Sequence, residues 1–111
     1  MRLNHPLLVP VADDDTMENV MADLAGLGFM SRYGLSPITP WSSYLEWFYE
    51  DTGTYPTHFL LTDSSFDPVA DGLSVELCGE HEFAQAPKTL LDEDVREVDI
   101  ERLVRLIGEW Y

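Results

Sequence analysis

Near the C-terminus, Ile100, Leu103, Val104, Ile107 and Trp110 recur at three- and four-residue spacing. That spacing puts them on one face of a helix. Asp99 stands where an N-cap acceptor is needed. A short helix with such a stripe is marginal in water, so the rest of the chain must supply a surface to cover it. A second stripe supplies part of that surface: Met17, Val20, Met21, Leu24 and Leu27. Asp15 followed by Glu18 predicts a capping box at its start, and acids there suit the positive end of the helix dipole. Gly26 and Gly28 supply the stop signal.

Two runs predict strands. Thr57 to Thr62 contains His58-Phe59-Leu60-Leu61, which suits a buried strand. Leu73, Val75 and Leu77 alternate with Ser74, Glu76 and Cys78, a period of two that predicts a half-buried strand. The turn-rich Asp63–Gly72 stretch between them predicts a hairpin with a long connection. Leu7 to Val11 is an apolar run broken by Pro10, and it predicts an edge strand or extended lead-in because proline cannot donate to a ladder. Phe29 to Leu35 is a further strand candidate. Ser36-Pro37-Ile38-Thr39-Pro40 is a loop. Ser43 with Glu46 forms a second capping-box pattern, predicting a short helix through about Glu50 that ends at Asp51-Thr52-Gly53. The resulting order, β-α-β-α-β-β-α, predicts one small α+β domain over residues 1–111, with helices packed on one face of a short, mostly antiparallel sheet.

Composition narrows the functional classes. The 111 residues fit one domain, and a 45% hydrophobic content provides a core, so the acidity is not that of a disordered tail. Six basic residues stand against 21 acids, for a net charge of -15. A protein that grips phosphates needs a basic patch, so direct binding of nucleic acid is not expected. Attraction to an anionic membrane is disfavoured for the same reason. Cys78 has no second cysteine to pair with. The apolar stretch from Pro6 to Ala12 is too short for a signal peptide, and no run approaches the roughly 20 residues of a membrane span. These features predict a cytoplasmic protein, including one encoded by a virus and acting in its host cell.

The residues that carry chemistry do not form a catalytic constellation. A nucleophilic cysteine needs an electropositive setting, whereas Cys78 has Glu76, Glu80 and Glu82 as neighbours. Cys78, Glu80, His81 and Glu82, with a distant His58, lack the paired spacing of a zinc site. Asp63, Asp67 and Asp71 are four apart, unlike the alternating ligands of a calcium loop. The chain has no phosphate-binding glycine loop, nucleophile elbow or H-E-x-x-H motif. The expectation is a protein that is not an enzyme and takes no metal or cofactor.

The charge is spread along the chain. Residues 1–55 hold eight acids and two basic residues, a balance of -6; residues 56–111 hold thirteen and four, a balance of -9. The densest group is Asp92, Glu93, Asp94, Glu97, Asp99 and Glu101, opposed by Arg96. Other groups are Glu76, Glu80 and Glu82, and Glu46, Glu50 and Asp51 beside Trp47. Such repulsion destabilises the compact state, and solubility needs only a net charge of roughly 2–8 in a small domain. Apart from Asp99, the expected helix cap, these groups are therefore candidate contacts to a basic protein surface, with Trp47 as an aromatic anchor.

In composition and size the chain resembles two kinds of small acidic antagonist. One is the phage-type DNA mimic that blocks a restriction or CRISPR nuclease. The other is the immunity protein that neutralises a nuclease toxin. Both imply a nucleic-acid-processing protein as partner. Halophilic adaptation also yields an acidic chain, but it predicts an evenly acidic surface, whereas a mimic predicts carboxylates gathered on one face.

Overall fold

The computed structural model describes residues 3–64, 72–79 and 95–111. Along the chain these form β1 (Leu7–Pro10), α1 (Asp14–Gly26), α2 (Trp41–Thr52), β2 (His58–Thr62), β3 (Ser74–Cys78), β4 (Arg96–Glu97) and α3 (Ile100–Trp110). The strands make one sheet in the order β3-β2-β1-β4. β1–β2 and β2–β3 are antiparallel, while β1–β4 is parallel. The registers align Leu7 with Leu61 and Leu61 with Val75, and they align Val9 with Phe59 and Phe59 with Leu77. Side chains alternate across a sheet, so these six share one face. All six belong to the main core cluster.

The helices cover that face. α1 buries Met17, Val20, Met21 and Leu24; α2 buries Trp41, Tyr44 and Phe48; α3 buries Leu103 and Ile107. All join the strand residues in the same cluster. On the other face, Leu8, Leu60 and Cys78 form a smaller buried cluster with Val95 against it. The fold is a small α+β domain with helices on one sheet face, as the sequence predicts. The parallel β1–β4 pair makes the sheet mixed.

Several local expectations are corrected. β1 is an interior strand, not an edge. Pro10 is tolerated because β4 pairs only with Leu7 and Leu8, so no ladder bond is asked of the proline on that side. The Phe29–Leu35 stretch contains no strand, only an isolated bridge from Met30 to Ser74. The cap of α1 is Asp13, whose carboxylate accepts from the Thr16 N–H at 3.1 Å and the Thr16 hydroxyl at 2.7 Å. α2 begins at Trp41, two residues before the proposed Ser43 cap, and Pro40 precedes it without a side-chain cap. The earlier start sets Trp41 at helical spacing with Tyr44 and Phe48, and the burial of all three outweighs the missing cap. Gly53, in the left-handed region at φ 78°, closes the helix with its N–H on the Tyr49 carbonyl. The Asp99 cap of α3 matches the sequence, accepting from the Arg102 N–H at 2.8 Å. Val104, placed in the apolar stripe by spacing, is 50% exposed.

Candidate functional site

α1 and α2 pack against each other over the sheet. Their outer surface carries Asp13, Asp14, Asp15, Glu18 and Asp23 from the first helix and its cap, and Glu46, Glu50 and Asp51 from the second; all are exposed. Neither helix contains a lysine or arginine. Arg32 is the sole residue of either kind from position 3 to position 57. The other described arginines, Arg96, Arg102 and Arg105, belong to β4 and α3. The described surface is therefore polarised, with a cation-free layer on α1 and α2 and a mixed one on α3.

Stability alone does not explain these positions. Acids favour a helix N-terminus, and Asp14 and Asp15 occupy the first turn of α1. Glu50 and Asp51, however, lie at the C-terminal end of α2, where the dipole disfavours negative charge and no basic residue offsets it. Glu46 and Glu50, four residues apart, add a like-charge pair. Asp13 has a clear local role: the hydrogen bonds from the Thr16 hydroxyl and amide hold its carboxyl below the ordinary value.

An aromatic group sits within this acidic layer. Trp41, Tyr44 and Phe48 are core residues, whereas Trp47 and Tyr49 are 38% and 47% exposed. Trp47 stacks on Tyr33 with ring centroids 6.3 Å apart and meets the edge of Tyr44 at 5.7 Å. The Tyr33 hydroxyl donates to Asp51 at 2.8 Å. Arg32 lies 5.6 Å from the Tyr33 ring centroid. Trp47 shares its side of α2 with Glu50 and Asp51, three and four residues on. The result is a rigid, half-exposed indole flanked by carboxylates.

The groups proposed from sequence fare differently. Glu46, Trp47, Glu50 and Asp51 lie together on α2. Glu76 is exposed on β3, paired with Leu60 of β2. Glu97 and Glu101 are exposed but lie in the segment that also carries Arg96, Arg102 and Arg105. Glu80, Glu82, Asp92, Glu93 and Asp94 lie outside the described residues, as do His81, Asp67 and Asp71. The carboxylates of α1 were missed as site residues because helix-start chemistry accounts for the first of them. Their signal is the absence of any lysine or arginine through both helices, which a search for the densest acidic run overlooks.

His58 and Cys78 are cross-strand partners. The His58 Nδ1 is 3.0 Å from the Thr57 hydroxyl, and the buried Cys78 thiol donates to the Glu76 carbonyl at 3.6 Å. Asp63 is buried and accepts from the Leu3 N–H at 3.0 Å, a structural role tying down the N-terminal segment. Among the described residues, no group of three His, Cys, Asp or Glu is placed to hold a metal. Among them, no helix is long and apolar enough to cross a membrane. Comparison with family models, curated proteins and solved structures gives no match to this chain.

Proposed function

We propose that the protein is a non-enzymatic binder of basic protein surfaces, using the acidic α1–α2 layer to occupy a groove that otherwise takes nucleic-acid phosphates. The observation that carries this reading is the polarity of charge: α1 and α2 hold carboxylates and no cation, while three of the four described arginines gather in β4 and α3. Duplex DNA carries one charge per about 1.7 Å of axis, so a Lys/Arg groove built for it attracts a folded acidic face. Trp47 supplies the aromatic anchor that charge alone lacks. The partner class is a nucleic-acid-processing protein, with a CRISPR or restriction nuclease or a nuclease toxin as the leading instances. Halophilic adaptation is disfavoured because it predicts an evenly acidic surface.

The test is competition. The full chain is titrated against labelled duplex DNA bound to purified restriction, CRISPR and toxin nucleases at graded salt. Displacement that weakens steeply with salt is expected for at least one of them. The Glu46→Lys/Glu50→Lys/Asp51→Lys variant should displace DNA at least about tenfold less well with an unchanged circular dichroism spectrum. Reversing Asp92, Glu93 and Asp94 in the same way maps whether that run belongs to the surface. If no nuclease releases DNA, or the α2 reversal displaces it as well as the natural chain does, the reading is wrong.

A further inference from the structure

A cleft of about 350 Å³ opens between the N-terminal segment, β4 and α3. Its chemistry is the opposite of the acidic layer. Arg96 and Arg102 both line it, in a chain of net charge -15. Among the described residues, neither arginine makes an ion pair.

Two elements aim these groups. The parallel register aligns Arg96 with Leu7 and Glu97 with Leu8. Leu7 belongs to the cluster beneath the helices and Leu8 to the cluster on the other face. Alternation therefore sets Arg96 on the helix side and directs the Glu97 carboxylate away, although Glu97 also borders the cleft. On α3, Arg102, Leu106 and Trp110 follow at four-residue spacing and all line the cleft, so one stripe runs from a cation to an indole. Trp110 is held against Phe29, with ring centroids 6.2 Å apart. Leu3 and Leu7 extend the apolar wall, and His5 adds a polar one. The His5 Nδ1 is buried and has no hydrogen-bond partner among the described residues.

We infer that this cleft binds a small organic anion, with a carboxylate or phosphate head at Arg96 and Arg102 and an apolar, ring-sized body against Leu106 and Trp110. Guanidinium forks match carboxylate and phosphate oxygens in paired hydrogen bonds. An apolar pocket with a few convergent polar groups is the general form of a small-molecule site, and the volume lies at the small end of that range. This site is separate from the α1–α2 layer and does not depend on the function proposed for it.

The test uses the full chain with three probes of similar size: phenylacetate, phenyl phosphate and neutral indole, titrated by calorimetry and by NMR shifts. Saturable binding of either anion is expected, and the tighter of the two identifies the head group. Arg96→Ala and Arg102→Ala should each lower affinity about tenfold. Arg105→Ala, on the same helix but outside the cleft, should leave it unchanged. Melting curves of all three variants establish that they fold. Absence of saturable binding by both anions overturns the inference, as does equal binding of indole, or unchanged anion affinity in folded Arg96→Ala and Arg102→Ala proteins.

Discussion

The Tyr111 hydroxyl donates to the main-chain carbonyl of Asp23 at 2.8 Å, joining the last residue to the final turn of α1 across 88 positions of sequence. The same carbonyl accepts the Leu27 N–H at 3.0 Å, so the hydroxyl is a second donor to it and ties the C-terminal residue to the helix end. Tyr111→Phe keeps the ring and removes this bond. At this exposed site the expected loss is at most about 1 kcal/mol. It should be read by denaturant unfolding, with faster amide exchange in the last turn of α3. Gly26→Ala tests the same contact from the other side, since an added Cβ would sit 2.8 Å from the hydroxyl. Its expected outcome is displacement of the Tyr111 ring.

α3 gives a contrast within one helix. Leu103 is 0% exposed and Ile107 is 4% exposed, whereas Val104 is half exposed. Leu103→Ala and Ile107→Ala should each cost about 2–5 kcal/mol, through lost burial and the cavity left behind. Val104→Ala should cost much less. Similar melting temperatures for all three variants would contradict this packing.

Thr62 is fully buried on β2, and its Oγ1 has no hydrogen-bond partner among the described residues. Burying a hydroxyl without a partner is unfavourable, and valine has nearly the same shape. Thr62→Val should therefore stabilise the fold by about 1 kcal/mol, seen as a higher denaturant midpoint with an unchanged slope.

The cap of α1 makes part of the stability depend on acid. Asp13 titrates below its ordinary value of 3.8 in the folded state because the Thr16 hydroxyl and amide bond to its ionised form. A lowered folded pKa means a contribution that is fully present above the unfolded value and lost as pH falls through the folded one. Asp13→Asn keeps an acceptor without the charge. It should flatten the acid limb of the stability curve below about pH 4, with no new dependence near neutrality.

The helices and the β2–β3 hairpin were legible from periodicity because a buried face imposes a spacing on the chain: Met17 to Leu24 in α1, Leu103 and Ile107 in α3, Val75 and Leu77 in β3. Caps were less legible. Asp13, Asp14 and Asp15 are all competent acceptors, and only the backbone geometry selects the first. The α2 start was obscured because burial of Trp41, not a capping side chain, sets it. β4 left no trace, since a two-residue strand has no period and its pairing with β1 spans most of the chain. The same limit applied to the surface. Acid density pointed to the run around Asp92, whereas the polarity of the described surface emerged only when α1 and α2 were set side by side.

The short rung between β1 and β4 has a thermodynamic consequence. The bonds that flank it are the Arg96 N–H on the Pro6 carbonyl at 2.8 Å and the Val98 N–H on the Leu8 carbonyl at 2.9 Å. The few main-chain bonds of so short a rung at a sheet margin can open locally while the β1–β2–β3 ladder stays closed. Opening them releases Arg96 and parts one wall of the cleft. An anion that spans Arg96 and Arg102 must therefore act as a latch, slowing amide exchange at Arg96 and Val98 in proportion to its occupancy.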